Sequence, residues 1–378
     1  MSTNAARTLP DPATTSPADL TAAMVDIYSV SDHEGHLADE VERHLRACGH
    51  LHVVRAGDAI LARTNAGRDR RVIIAGHLDT VPVANNIPHR RLHIDGEDVI
   101  WGRGSVDMKS GCAVQLALAV TLPEPAIDVT WVFYDHEEVD TDRSGLKRLL
   151  DTHPELMTDA EFGILTEPTS AAIEGGCNGT LRVRVDVNGR ATHSARHWLG
   201  SNAIHLAAPV LDRLARYEPR TVTVGGLDYR ESLSIVKIEG GIAFNVIPDA
   251  CRIWINYRYA PDSTSEQAYR RVTELLEGIE ASVSLEDAAD GARPGLTSDL
   301  AQDFVAAAKR HAGASVGPKY GWTDVARLSA AGIPAVNYGP GDPTLAHTDE
   351  ENCPISHIEA CHAALLAWLR QDGAHGTT

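Results

Sequence analysis

An α/β domain interrupted by a smaller α+β sandwich is the architecture this sequence predicts, on three observations. Short, continuously apolar strands such as "VIIAG" (72–76) alternate with helical segments, as in a sheet covered on both faces. Near residue 180 the period changes, and "TLRVRVDVNG" (180–189) alternates apolar and polar residues as a strand with one wet face does. After "GARPG" (291–295) the first pattern returns. A chain of 378 residues is long enough to bury two cores. Residues 1–15 are expected to be a disordered lead-in, 16–179 with 292–378 the larger domain, and 180–291 the insert.

The elements follow in order. Ser16, Pro17 and Asp19 open a helix as N-cap, first helical residue and first-turn acid. "EGHLADEVERHLRAC" (34–48) has the spacing of a second, amphipathic helix. The strand "VIIAG", the buried helix "SGCAVQLALAVTL" (110–122), and the strands in "DVTWVFYD" (128–135) and "AEFGILTEP" (160–168) come next, with no sharp hairpin signal among them. The insert adds one amphipathic helix in "NAIHLAAPVLDRLARY" (202–217), strands in "LSIVKIEGG" (233–241) and "ACRIWINYRYAP" (250–261), and a helix in "SEQAYRRVTELLEGI" (265–279). Beyond it, "DLAQDFVAAAKRHAG" (299–313) and "SHIEACHAALLAWLRQ" (356–371) read as helices, with "IPAVNYGPG" (333–341) as a strand and loop between them.

Composition removes several functional classes. No apolar run approaches the ~20 residues that span a bilayer. The N-terminus "MSTNAARTLPDPATT" has no apolar core of the kind a secretory signal carries. Six cysteines (48, 112, 177, 251, 353 and 361) are scattered without a CxxC pair. That spacing fits a reduced cytoplasmic protein better than a disulfide framework or a structural zinc site. A formal charge of −18 opposes binding to nucleic acid or an anionic membrane, and by itself it names no partner.

Five polar clusters fall just past the apolar strands or in their loops: "GHLDT" (76–80), "GRGSVDMKSG" (102–111), "DHEEVD" (135–140), "LTEPT" (165–169) and "LAHTDEE" (345–351). In an open α/β sheet the carboxyl ends of the strands line the ligand crevice, so distant clusters can converge there. His77, Asp107, Glu138, Glu167 and His347 offer imidazole and carboxylate donors and no thiolate. Such a set suits zinc, cobalt or manganese in a hydrolytic site. Five ligands exceed the needs of one tetrahedral catalytic zinc but serve two ions if a carboxylate bridges them. A dication beside Glu138 also relieves its repulsion with adjacent Glu137, which leaves Glu137 free to act as a base.

"GHLDTVP", "GRGSVDMKSG", "FYDHEEV", "LTEPT" and "LAHTDE" resemble, in order and spacing, the metal-site motifs of the aminoacylase/acetylornithine-deacetylase/carboxypeptidase family of dizinc hydrolases. The resemblance covers the chain from about residue 16 onward. "EGGCNGTLRV", "ATHSARHWLGSNAIH", "NVIPDA", "INYRYAPD", "KYGWTDVARL" and "GIPAVNYGPGDPTLAH" are most similar to the actinobacterial desuccinylases within that family.

This resemblance implies a mixed-sheet catalytic domain with two Zn²⁺ ions, Co²⁺ or Mn²⁺ being substitutes, and an inserted dimerisation and lid domain. It implies His77 and Glu167 on one ion, Glu138 and His347 on the other, and Asp107 between them, with a cis peptide after Asp107. Asp79 would hold the His77 tautomer, Glu137 would be the general base, and His193 would stabilise the oxyanion from the partner subunit of a homodimer. Arg258 would bind a substrate carboxylate, Asn245 would lie near the reacting amide, and Thr323 and Gly339 would line the substrate pocket. The implied reaction is hydrolysis of an N-acyl amino acid, first of all N-succinyl-LL-2,6-diaminopimelate. A sister N-acyl-amino-acid deacylase, a glutamate-type carboxypeptidase and, outside catalysis, a metal-binding scaffold are the alternatives. The pattern departs from the family at Cys177-Asn178, where an arginine is usual, and at Gly321-Trp322-Thr323-Asp324, where Gly-Thr-Ser-Asp is familiar.

Overall fold

The structure is a computed structural model and describes residues 7–371. The chain divides into two compact units, one of residues 1–175, 295–317 and 327–378, the other of 176–294 and 318–326. The first is built on an eight-stranded mixed sheet. Its strands, in chain order, are β1 (Leu51–Ala56), β2 (Ala59–Thr64), β3 (Arg71–His77), β4 (Asp128–Tyr134), β5 (Phe162–Leu165), β6 (Ile173–Gly175), β7 (Val316–Pro318) and β8 (Ala335–Asn337). Their order across the sheet is β1-β2-β4-β3-β5-β8-β6-β7.

Every residue of β2, β3, β4 and β5 is buried, which explains their continuous apolar runs. Ile60, Val72, Ile74, Val129, Trp131 and Phe133 share one cluster with residues of the helices Pro17–Asp26, Gly35–Arg46, Lys109–Thr121, Asp299–Ala312 and Ile355–Arg370. The alternate residues Leu61, Ile73, Ala75 and Val132 are buried on the opposite face, where Gly145–Thr152 packs against β2 and β4. Ser16 caps the first helix as expected, its side chain accepting from the Asp19 amide.

Two expectations need correction. The chain does form sharp hairpins: β1 and β2 pair antiparallel around Gly57-Asp58, and Arg90–Ile94 pairs antiparallel with Glu97–Trp101. Gly57 and Gly96 take positive φ at these turns, and the short signals "AGDA" and "IDGE" were the local evidence for them. The lead-in is also ordered where the structure describes it, residues 1–6 lying outside the described residues. Leu9 is buried, its amide donates to Glu40 Oε2 at 2.7 Å, and its carbonyl accepts from Arg43 at 3.2 Å.

The second unit carries a four-stranded antiparallel sheet, in the order Ser232–Gly240, Ala250–Tyr259, Gly179–Asn188 and Ser282–Ala289. Leu181, Val183, Val185 and Val187 face a core shared with Val210, Leu214, Ala268 and Val272 of its helices, while the intervening residues are less buried. This is the two-layer arrangement that the strict alternation predicts. The single helix expected over 202–217 is two, Ala203–Leu206 and Ala208–Ala215. Pro209 has no N–H to donate to the His205 carbonyl, which interrupts the ladder there. Residues 318–326 pack in this unit as well: Asn178 N–H donates to Lys319 O at 3.2 Å and Trp322 Nε1–H to Asp290 O at 3.0 Å. All six cysteines are free. Among the described residues no helix is long and apolar enough to cross a membrane.

Candidate metal centre

Strands β4, β3, β5 and β8 are parallel neighbours, so their carboxyl ends open at one edge of the sheet. His77 ends β3, residues 135–138 follow β4, Glu167 follows β5, and Gly339 follows β8. Asp107 precedes the helix Lys109–Thr121 across a cis Asp107–Met108 peptide, and His347 follows the turn Pro343–Leu345 with φ of 66°. Parallel strands and the loops around them thus bring together residues that are up to 270 positions apart, His77 and His347.

The side chains form three groups, one of His77, Glu137 and Glu138 and two that share the Asp107 carboxylate. Ligand atoms of His77, Asp107 and Glu167 lie within 4.8 Å of one another, and so do those of Asp107, Glu138 and His347. Asp107 Oδ1 is 3.0 Å from His77 Nε2, and its Oδ2 is 3.3 Å from His347 Nε2. His347 Nε2 also lies 3.0 Å from Glu138 Oε1. The two oxygens of Asp107 therefore face two different histidines. His77, Glu167 and Asp79 are buried, Asp107, Glu137 and Glu138 are half-buried, and His347 is exposed.

The electrostatics of the cluster call for positive charge. Burial disfavours an imidazolium at His77, yet the Asp107 and Asp79 carboxylates outweigh burial and hold its pKa well above the ordinary value. Asp107 and Glu138 raise His347 to about 10. Burial pushes the Glu138 carboxyl up. Carboxylate and imidazole donors that crowd together and attract charge, with no thiolate among them, fit divalent ions of the zinc, cobalt or manganese type.

Asp79 differs in detail from its expected role. His77 Nδ1 is 3.0 Å from the Asp79 backbone carbonyl and 3.5 Å from its carboxylate, so the carbonyl is the closer partner holding the tautomer. The Asp79 carboxylate also accepts the amides of Glu137, at 3.0 Å, and Glu138, at 3.1 Å. Gly339 is buried, its amide donates to Thr169 Oγ1 at 3.1 Å, and its carbonyl accepts from Ala171 at 3.0 Å. With both backbone groups engaged it packs behind the loop bearing Glu167.

His193, Asn245, Arg258 and Thr323 lie in the second unit. His193 and Asn245 are brought together: His193 pairs with Val246 across a short antiparallel bridge, and Ser194 N–H donates to Asn245 O at 2.9 Å. His193 Nδ1 accepts from the Ala195 amide at 3.1 Å, which leaves the ring proton of the neutral form on Nε2. Arg258 is on the strand Ala250–Tyr259, opposite Ser232 and Thr180. Its Nε donates to Asn256 Oδ1 at 3.2 Å, and among the described residues it forms no ion pair. Thr323 is buried and its carbonyl accepts from the Ala326 amide at 3.0 Å.

Residues 73–371 match the model for peptidase family M20/M25/M40. The chain belongs to that family. Over 354 residues it is 51% identical to the DapE protein of Mycobacterium tuberculosis, a candidate succinyl-diaminopimelate desuccinylase, across 93% of this chain and 98% of that one. It is 43% identical to the succinyl-diaminopimelate desuccinylase of Corynebacterium glutamicum, across 94% and 96%. Among solved structures, a tripeptidase from Staphylococcus aureus superposes with a TM-score of 0.76 at 20% identity, over 94% of this chain and 97% of that one. That likeness is one of fold and spans residues of both units.

Sequence reasoning missed several residues around the M20 site. Glu351, 1% exposed, accepts the amides of Val106 and Asp107 at 3.0 and 3.1 Å and pairs with Arg103 at 2.8 Å. It thereby ties the His347 segment to the Asp107 loop. The one signal was an acid four residues past a candidate histidine. Glu34, Asp135 and His136 form a further cluster beside the acid pair. Asp135 and His136 stand inside the quoted "DHEEVD", but Glu34 lies about a hundred residues earlier and carries no local mark.

Proposed function

We propose that this chain is a two-metal amidohydrolase that cleaves N-succinyl-LL-2,6-diaminopimelate to succinate and LL-2,6-diaminopimelate in the cytoplasm. The observation that carries this reading is Asp107, whose two oxygens face the histidines of the two ligand groups that share it. The substrate assignment draws on the desuccinylase names of relatives at 51% and 43% identity over nearly their whole lengths. His77, Asp107 and Glu167 would hold one ion, and Asp107, Glu138 and His347 the other, zinc being the ion this donor set suits best. Bound there, the ions supply the positive charge that acidifies water and polarises an amide carbonyl.

The chain's own groups do the rest. Glu137 accepts a proton from the attacking water and returns it to the departing amine nitrogen, as a general base and then a general acid. The Nε2–H of His193 is a donor for the oxygen that gains negative charge. Arg258, half-buried and without an ion pair among the described residues, suits a substrate carboxylate, which its planar guanidinium can grip through two bonds.

The homodimer belongs to the same reading. Ser232–Gly240 is an edge strand, and Val236 and Ile238 on it are 60% and 48% exposed. Trp198, Ile242 and Phe244 of the same unit are also exposed. An apolar edge of this kind favours pairing with a second copy, through which His193 would reach the partner's metal site.

The test is turnover of N-succinyl-LL-2,6-diaminopimelate by zinc-loaded protein, beside N-acetylornithine and simple N-acyl amino acids. A chelator-sensitive preference for the succinyl substrate is expected. Chelator-sensitive activity confined to another acyl amino acid would keep the chemistry and move the assignment to a sister deacylase. Asn178, buried where an arginine is usual, is then the first residue to exchange. Glu137→Gln should keep its metal and lose ~10³-fold or more in kcat; undiminished turnover would remove Glu137 from the mechanism.

A further inference from the structure

Ser29–Glu34, the segment between the first two helices, runs beside the stretch that follows His77. Ser29 Oγ donates to Leu78 O at 2.7 Å, Thr80 N–H to Ser29 O at 3.0 Å, and Ser31 N–H to Thr80 O at 3.2 Å. Ser31 Oγ donates to Asp79 Oδ2 at 2.8 Å. At the end of the segment Glu34, fully buried, accepts the His136 amide on Oε1 at 3.2 Å. The Asp79 carboxylate takes the next two amides, those of Glu137 and Glu138. Three consecutive N–H groups of the acid loop therefore end on two buried carboxylates. His136 has φ of 59°, and a left-handed residue of this kind turns successive amides toward one side. Its ring is held too, with Nδ1 2.6 Å from Asp135 Oδ2 and 3.2 Å from Glu34 Oε1, and Nε2 3.2 Å from Asp32 Oδ1.

We propose that Glu34 is a positioning residue for catalysis: it anchors the first amide of the loop whose next two side chains are the base and a metal ligand. Without its acceptor the partly buried His136 amide would lose its partner, and the loop relieves that cost by turning the peptide or shifting outward. Either response displaces Glu137 and Glu138, and a displacement of about 1 Å at a reacting group costs ~10²-fold in rate. Glu34 stands outside the two ligand groups that share Asp107 and acts through the His136 amide and ring that it holds. The inference rests on the reading of Glu137 as the base and Glu138 as a ligand.

Four variants test it: Glu34→Leu, which removes the acceptor; Glu34→Gln, which keeps a carbonyl acceptor in the same place; Leu37→Ala, which opens a cavity in the helix that follows Glu34; and Glu137→Gln. At saturating metal, Glu34→Leu should lower kcat ~10–100-fold with KM nearly unchanged. Calorimetric titration of its metal-free form should show metal affinity weakened by a similar factor. Glu34→Gln should recover most of both losses. Leu37→Ala should lower Tm while leaving kcat and metal affinity as they were. If Glu34→Leu does not fold, Glu34→Asp, which withdraws the acceptor by one methylene, should still lose kcat several-fold relative to Glu34→Gln.

Native kcat and metal affinity in Glu34→Leu would overturn the proposal. So would a Glu34→Gln as impaired as Glu34→Leu, or a Leu37→Ala that loses as much rate at equal Tm. A low rate for Glu137→Gln beside a native rate for Glu34→Leu would sink the positioning role alone. Full activity in Glu137→Gln would remove both readings together.

Discussion

Gly339 approaches the loop bearing Glu167 so closely that a Cβ would meet Thr166 O at 2.3 Å and Glu167 O at 2.6 Å. Gly339→Ala must therefore move that loop, and it should weaken metal binding in a titration of the metal-free protein and lower Tm. Arg258 calls for a different readout. Its side chain is half-buried with Asn256 as its hydrogen-bond partner among the described residues, so Arg258→Ala should raise KM for a carboxylate-bearing substrate ~10-fold or more, with a smaller effect on kcat. Arg258→Lys, lacking the planar fork, should rescue little of the loss. Both residues could be singled out in the sequence, but only for one role each. That Gly339 supports a ligand loop followed from a backbone distance no pattern encodes.

Asp128, the first residue of β4, shows what holds one strand in register. Its Oδ1 accepts from Thr64 Oγ1 at 2.7 Å and from the Ala66 amide at 2.9 Å, while Oδ2 accepts from the Arg68 amide at 2.9 Å. Burial pushes this carboxyl up, but the three donors outweigh burial and hold its pKa below the ordinary value. A depressed folded-state pKa means a contribution that is present above the unfolded carboxylate value and lost as pH falls through the folded one. Asp128→Asn should therefore lower stability at neutral pH. The gap to the native protein in denaturant unfolding should narrow as pH drops below about 4. At the exposed edge strand, Val236→Glu with Ile238→Glu sets charges where two copies would pair. Sedimentation should then report a monomer, and activity should fall with the dimer if His193 serves the partner's site.

Across the whole molecule, a large share of the buried acid is gathered at one edge of the sheet: Glu34, Asp79, Asp135, Glu167 and Glu351 are all buried there or against it. Like charges so gathered oppose folding unless cations join them. Metal that binds the folded chain more tightly than the unfolded one adds its binding free energy to stability. Stripping metal with a chelator should lower Tm by roughly 5 °C or more, and returning zinc should restore it. A Tm indifferent to metal would mean that the histidines and amides already balance these acids.

Much of this was legible in the chain itself. The period of apolar residues marked the buried strands and the change to a half-wet sheet near residue 180, because periodicity reports which faces lose water. The polar clusters after those strands named the residues that meet at the centre, because parallel strands send their carboxyl ends to one side. Tertiary structure alone decided which distant amide each buried carboxylate accepts. It set Asp79 under Glu137 and Glu138, Glu34 under His136, and Glu351 under Asp107, and it drew residues 318–326 into the second unit. A carboxylate bonded to an amide a hundred residues away leaves no periodic trace, since that bond is chosen by packing after the elements exist.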